Sequence, residues 1–573
     1  MVTEDRQEEA SARRFCVEAV DGLEVASVAW WSLLRLLERE GCGPWLLESA
    51  LQGQGDGRWS ILALMRGETR FGADAVMGEL RWQSSRIDSE RRDRLETARG
   101  VGYDGPFHGG WMFYLPYELA WRFEPSLGEA PRASCAADAF AVDVPAALVV
   151  DHARVQTWLV ARDEHALGVA RVHLARALSA GAQLDTSDDS GTQVEGSQES
   201  WTRARLVEAP EEAYLEAVRR ARRLIIDGEV FQLNLSRAWR LDYLDSRPVE
   251  PFENGDQLHG LFSDVERLGS DETARIAIVP ATVSALYQRL REANAAPFAA
   301  WFRLPDAVVI SSSPERLVRI AEGRIETCPI AGTRPRGSTA ETDAALRDDL
   351  SRHPKEIAEH VMLVDLERND LGRVAAPGTV TVPSLLRVES YKRVHHLVST
   401  IVATLADGVD VADALHATFP GGTITGCPKV HAIRRIHELE AVADRKPPPQ
   451  AARGAYTGSL GYLSDGGALD SNILIRTLIV QTRTARALDR WTERFENEST
   501  RRVEYDVQGA TSKHADDWAG RFAGCESAEL IERIEFRTGA GIVFDSDPDA
   551  ELAETRHKAK AMLEALGVAV PNP

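Results

Sequence analysis

Apolar residues along this chain recur with two periods, and the switches between those periods mark its elements. A period near 3.6 runs through AYLEAVRRARRLIIDGEVFQ (213–232), AALRDDLSRHPKEIAEHVMLVDLERNDLGRV (344–374) and AETRHKAKAMLEAL (553–566), and predicts helices. Alternating or β-branched runs, DAVVISSSPERLVRI (306–320), GRIETCPIAG (323–332) and GSLGYL (458–463), predict strands ended by turns. NILIRTLIVQT (472–482) is also strand-like, and IEFRTGAGIVFDSD (534–547) is a compact segment after it. Strands and helices do not alternate in a βαβ rhythm, so an α+β fold is expected.

The pattern lapses in a few places. QLDTSDDSGTQVEGSQES (183–200) is polar, acidic and nearly free of large apolar residues, and reads as a linker. It divides an N-terminal region (15–182), preceded by a charged, flexible start (1–14), from a longer one (201–573). A charged stretch at about 484–531 reads as an insertion, and a smaller one occupies about 241–273. There is no internal repeat and no heptad array.

Composition narrows the class. With 573 residues the chain can bury a large core, in two or more domains or in one domain with insertions. Hydrophobic residues at 44% and charged residues at 27% describe a soluble globular protein. The net charge of −21 argues against nucleic acid or an anionic membrane as partner, so an acidic ligand must be held by local arginines, loop amides or a metal. No run approaches the roughly 18 apolar residues of a membrane helix. The start, MVTEDRQEEASARR, has no apolar core of a secretory signal, and a cytoplasmic location is expected. Six scattered cysteines without CxxC spacing read as reduced thiols.

Candidate chemistry concentrates in the second region. FPGGTITGCPK (419–429) and YTGSLGYLSDGGALDSNILIRT (456–477) are glycine-rich and hydroxyl-rich, suited to holding an oxygen-rich anion on backbone N–H groups. Glu356 and Glu359, and likewise Glu551 and Glu554, stand three apart, which places each pair on one helix face. If the two helices converge, four carboxylates form an oxygen-only site suited to Mg²⁺. His396 is a candidate acid or base. Arg476, between apolar strand-like neighbours, needs an anion, either a bidentate carboxylate ligand or a structural partner.

Seven blocks in order, PIAGTRPRG (329–337), EHVMLVDLERNDLGRV (359–374), HLVS (396–399), FPGGTITGCPK, RGAYTGSLGYLS (453–464), LDSNILIRT (469–477) and GAGIVFDSDPDAELAETRHKA (539–559), resemble the chorismate-utilising enzymes. These include component I of anthranilate synthase and of aminodeoxychorismate synthase, with isochorismate and salicylate synthases. LLESALQGQGDGRWSIL (46–62) resembles the N-terminal part of the first two. The resemblance implies a large α+β sandwich of two antiparallel sheets with helices outside and chorismate in a cleft between them. It implies Mg²⁺ on Glu359 and Glu554 with Glu356 and Glu551 alongside, bridging to the ring carboxylate. Arg476 and Tyr456, with amides of a Gly539, Ala540, Gly541 loop, would hold the enolpyruvyl carboxylate. His396 would be the acid for the departing hydroxyl. Gly332, Thr333 and Thr425 would contact substrate, and Lys558 would suit an anion.

Within the family, the water-using branch carries a lysine base where this chain has Gln232, so ammonia is the expected nucleophile. NLS (234–236), DSNILIRT and APFAAWF (296–302) favour aminodeoxychorismate synthase, which serves 4-aminobenzoate and folate synthesis. Ala331, replacing a lysine frequent in that branch, favours anthranilate synthase, the alternative; a non-catalytic relative is a further one. No glutaminase nucleophile block is found, so a separate glutamine amidotransferase subunit is expected. Leu47, Glu48, Ser49, Arg58, Trp59 and Ser60 form a possible tryptophan site.

Overall fold

The computed structural model describes residues 15–20, 33, 34, 37, 45–49, 58–85, 98, 100–185, 201–244, 274–391, 393–482 and 531–568. Residues 186–200, 245–273 and 483–530, which hold most of the expected linker and both expected insertions, lie outside the described residues.

Two antiparallel sheets organise the described chain, one of 13 strands and one of 10. Period-2 alternation sorts side chains between their faces. In the strand Phe298–Arg303, Ala300 and Phe302 face the second sheet, where Met112, Tyr114, Leu460 and Tyr462 meet them. Trp301, between them, packs instead into an outer layer with the helices Val283–Ala293 and Pro548–Ala565. The second sheet's outer face carries the helices Pro354–Gly372 and Val411–Thr418. This is the two-sheet α+β sandwich with outer helices expected from the sequence.

Regions 15–182 and 201–573 share both sheets. Trp45–Glu48 pairs with Ala299–Phe302, Trp301 lying opposite Leu46, and Gly110–Leu115 pairs along the whole strand Ser459–Ser464. Helix and strand expectations differ from the structure at two boundaries. The run 213–232 is helical only over Glu211–Ile226; Gly228 then adopts φ +76 and a strand opens at Gln232. The run 344–374 is two helices, Ala340–Arg352 and Pro354–Gly372, because the Pro354 ring cannot continue the first one. The strand from Gln232 also continues to Tyr243, through the first residues of the segment read as an insertion. Among the described residues no helix is long and apolar enough to cross a membrane.

Candidate active site

The site grows from one strand pair. In Gln232–Tyr243, Leu233 and Leu235 point into a helix-covered cluster with Ala540 and Ile542. Alternation therefore turns Gln232 and Asn234 to the opposite face. Asn234 lies across from Gly541 and Ser236 from Gly539 on the strand Ile531–Ile542. The GAG segment is thus strand rather than loop, and its alanine is tolerated because Ala540 faces the helices. A Cβ at Gly539 would stand 2.6 Å from the Leu235 carbonyl, whereas at Gly541 it would displace the ends of two side chains. A Cβ at Gly541 would stand 2.8 Å from Gln232 Nε2 and 3.0 Å from Glu359 Oε1, and one at Gly539 would stand 2.8 Å from the Tyr456 hydroxyl. The neighbouring strand Thr477–Thr482 pairs only as far as Phe536, so among the described residues Thr538–Ile542 has one edge without a strand partner.

Acidic groups line one end of this face. Gln232 Nε2 donates to Glu359 Oε1 at 2.7 Å. Burial, followed by repulsion from Glu356 and Glu554, pushes the Glu359 carboxyl up to about 7. Arg334 holds Glu356 at 2.8 Å. Lys558 Nζ binds Glu554 at 2.7 Å and the Gly539 carbonyl at 2.9 Å. Although burial pulls the other way, Lys558 keeps Glu554 below the usual carboxylate range. Burial raises Glu551, with Glu554 adding to the rise and a hydrogen bond from Ser546 opposing it. Among the described residues no three acidic, imidazole or thiol groups stand close enough to cage an ion. The donor set still fits Mg²⁺ in kind: all oxygen, with mutual repulsion that a cation would relieve.

Across the sheets, Thr333 Oγ1 and His396 Nδ1 lie 2.8 Å apart on paired strands. Gly332 beside them takes φ +85, and a Cβ there would meet Glu356 Oε2 at 2.9 Å. Burial and then Arg476 push His396 down to about 3, so without a ligand it is neutral at physiological pH. Glu315 is a second buried group on this side of the cleft. It is buried in the turn after Val308–Ser313, accepts from the Ile330 amide at 3.4 Å, and burial raises it to about 7. Arg476 adopts φ +52 and donates to Asn294 Oδ1 at 3.2 Å; among the described residues it has no ion-pair partner. The Thr425 hydroxyl is spent on the Gly421 carbonyl at 2.9 Å.

Arg453 escaped the sequence reading. Fully buried, it binds Glu440 at 2.7 Å, the Ile424 carbonyl at 3.0 Å, Thr457 Oγ1 at 3.1 Å and the Asn234 carbonyl at 2.7 Å. One guanidinium thus fixes both glycine-rich loops against the strand that carries Gln232. Its position just before GAYTG was the only signal available. Of the N-terminal candidates, Leu47 is in mid-sheet, Glu48 accepts from Tyr287 and from Arg291 at 2.7 Å, and Arg58 pairs with Asp151 at 2.8 Å while stacking on Trp59. The Ser49 amide donates to Ser60 Oγ at 3.0 Å. A separate groove of about 660 Å³, lined by Phe231, Met362, Leu366, Phe419 and Lys429, opens behind the FPGGTITGCPK loop and contains none of the glutamates above.

A family model described as chorismate binding enzyme matches residues 51–259, 274–487 and 527–564. Anthranilate synthase component 1 of Streptomyces coelicolor is 37% identical over 480 residues, 80% of this chain and 73% of that protein. Aminodeoxychorismate synthase component 1 of Klebsiella aerogenes is 36% identical over 373 residues, 65% of this chain and 69% of that one. The crystal structure of anthranilate synthase component I from Streptococcus pneumoniae superposes with a TM-score of 0.58 at 25% identity, covering 88% of this chain and 92% of the other.

Proposed function

The chain belongs to the chorismate-binding enzymes, and within that family we propose that it aminates chorismate, using ammonia from a separate glutaminase subunit, to give 4-amino-4-deoxychorismate for 4-aminobenzoate and folate synthesis. The observation that carries this reading is Gln232. A neutral amide, tied to Glu359, stands where activating water would need a base, whereas ammonia is a nucleophile without one.

The remaining groups fit the reaction. Arg476, with no carboxylate partner among the described residues, and Tyr456 suit the enolpyruvyl carboxylate. Glu315, about half protonated near neutrality, gives its proton to the ring hydroxyl, which leaves as water; the proton shed by the new amine restores the acid. Glu359 and Glu554, with Glu356 and Glu551, would hold Mg²⁺, which supplies Lewis-acid polarisation through the ring carboxylate.

A second reading, amination at C2 with loss of pyruvate to give anthranilate, is favoured by Ala331, whose methyl group on the strand Ile330–Pro335 offers no amine. Product identification decides. With chorismate, Mg²⁺ and ammonium, 4-aminobenzoate that forms only when aminodeoxychorismate lyase is added supports the first reading. Fluorescent anthranilate and pyruvate without lyase would overturn it. Tryptophan binding at Leu47–Ser49 and Arg58–Ser60, as a feedback or a structural ligand, belongs to this proposal; calorimetry showing no heat with tryptophan would remove it.

A further inference from the structure

We infer that Asn294 is the positioning residue for Arg476: its side-chain oxygen aims the guanidinium at the substrate carboxylate and leaves the positive charge uncancelled. The inference rests on the proposed contact between Arg476 and the enolpyruvyl carboxylate, and it adds a residue that the reaction so far leaves without a role.

Asn294 ends the helix Val283–Ala293, where its backbone N–H donates to the Leu290 carbonyl at 2.9 Å. Its side chain closes a ring with Ser312 and Arg476. Asn294 Nδ2 donates to the Ser312 carbonyl at 3.1 Å and to Ser312 Oγ at 3.0 Å. The Ser312 hydroxyl donates in turn to the Asn294 carbonyl, and the Ser312 amide donates to the Arg476 carbonyl at 3.1 Å. Asn294 Oδ1 completes the ring by accepting from Arg476 Nη1 at 3.2 Å. Turning the amide over would set its oxygen against the Ser312 carbonyl and its N–H groups against the guanidinium, so the partners fix its orientation. Arg476 is thus held at backbone and side chain alike, in a left-handed conformation that a residue with a Cβ adopts only with such support.

What Asn294 withholds is a charge. Among the described residues Arg476 has no ion-pair partner. Burial works against its charged form, and Glu315 favours that form through space without closing an ion pair. A guanidinium in this state is costly to the fold, and an anionic ligand recovers the loss. Arg476 and Asn294 border a pocket of about 40 Å³ together with His396 and Tyr391, so open space adjoins the pair. An aspartate has the shape of Asn294 but would give Arg476 a resident counter-ion, which the substrate carboxylate would have to displace. A neutral acceptor orients the arginine without competing for it.

The test is steady-state kinetics of the full chain with Mg²⁺ and ammonium, varying chorismate and ammonium separately. Asn294→Leu, which fills the space without an acceptor, should raise the chorismate KM about tenfold, the value of one lost hydrogen bond. Asn294→Asp should raise it further, on the order of 10²-fold, because a charged acceptor holds the guanidinium about twice as strongly as a neutral one. In both variants kcat and the ammonium KM should stay within about threefold of the parent, the signature of lost substrate binding alone. A residue that served only to end its helix would give the opposite order, since aspartate replaces asparagine there better than leucine does. A chorismate KM for the Asp variant at or below that of the Leu variant would therefore overturn the inference. An Asp variant that fails to fold would overturn it too, because Arg476 offers the new carboxylate a partner. Should the Leu variant not fold, the Asp variant decides alone, and a chorismate KM within about threefold of the parent would overturn the inference. Anthranilate as the parent's product would sink amination at C4 and leave this inference standing, since both reactions use the same carboxylate; a parent chain that consumes no chorismate would sink both.

Discussion

Arg453→Met removes the one side chain that ties three segments of the site together, and its cost follows from the contacts. The guanidinium is 1% exposed and Glu440 is 2% exposed, so neither charge is screened by solvent. After substitution, Glu440 keeps the Ser236 amide at 2.8 Å and hydroxyl at 2.6 Å, and Arg537 at 3.6 Å. Breaking a buried pair from one side costs roughly 3–5 kcal/mol, and these surviving partners place this case at about 3 kcal/mol. That is a large share of the 5–15 kcal/mol that typically holds a protein folded. Urea unfolding followed by tryptophan fluorescence reads the loss. The partner variant Glu440→Leu, combined with Arg453→Met, should recover a large part of it, because no charge is then stranded. A single-variant loss below about 1 kcal/mol, or a double variant as unstable as the two losses added, would refute the reasoning. The carbonyls of Asn234 and Ile424 also lose their donor, so kcat/KM for chorismate should fall in the soluble fraction of Arg453→Met.

Two further outcomes follow from the same geometry. Gly541→Ala drives a methyl group into Gln232 and Glu359, and kcat/KM should fall on the order of 10²-fold with an unchanged melting temperature; unchanged activity would mean that this face is not the reaction site. Burial, with Glu315 and Asp370 nearby, raises Glu367 from 4.5 to about 8, so the folded state holds a proton that the unfolded chain releases. Stability should accordingly decline as pH rises from about 4.5 to 8, and Glu367→Gln, which keeps an acceptor for Thr327 Oγ1, should flatten that decline; parallel pH profiles would contradict it.

What the sequence disclosed was whatever short spacing encodes. The glutamate pairs are read from i, i+3 repeats, and the helices carrying them are present. Ala540 was noticed but not placed, because alternation settles its direction only once the segment is known to be a strand. His396 stood out as a histidine among apolar neighbours, yet its burial beside Arg476, which keeps it neutral, is a contact across 80 residues that no local pattern records. Glu315 and Arg453 went unread for the same reason: their meaning lies in burial and in partners far along the chain. The Pro354 break was visible in HPKE and was overridden by the apolar period running through it.

The shared sheets bear on how this polypeptide can be divided. A fragment ending at Asp185 would leave one edge of Gly110–Leu115 unpaired, and a fragment starting at Trp201 would leave one edge each of Ser459–Ser464 and Ala299–Phe302 unpaired. Each exposed edge is the template for the other fragment. A cut between them severs the covalent chain but not the hydrogen-bonded fabric, so two co-expressed halves would find one another and rebuild the cleft, while either half made alone would seek substitutes and aggregate.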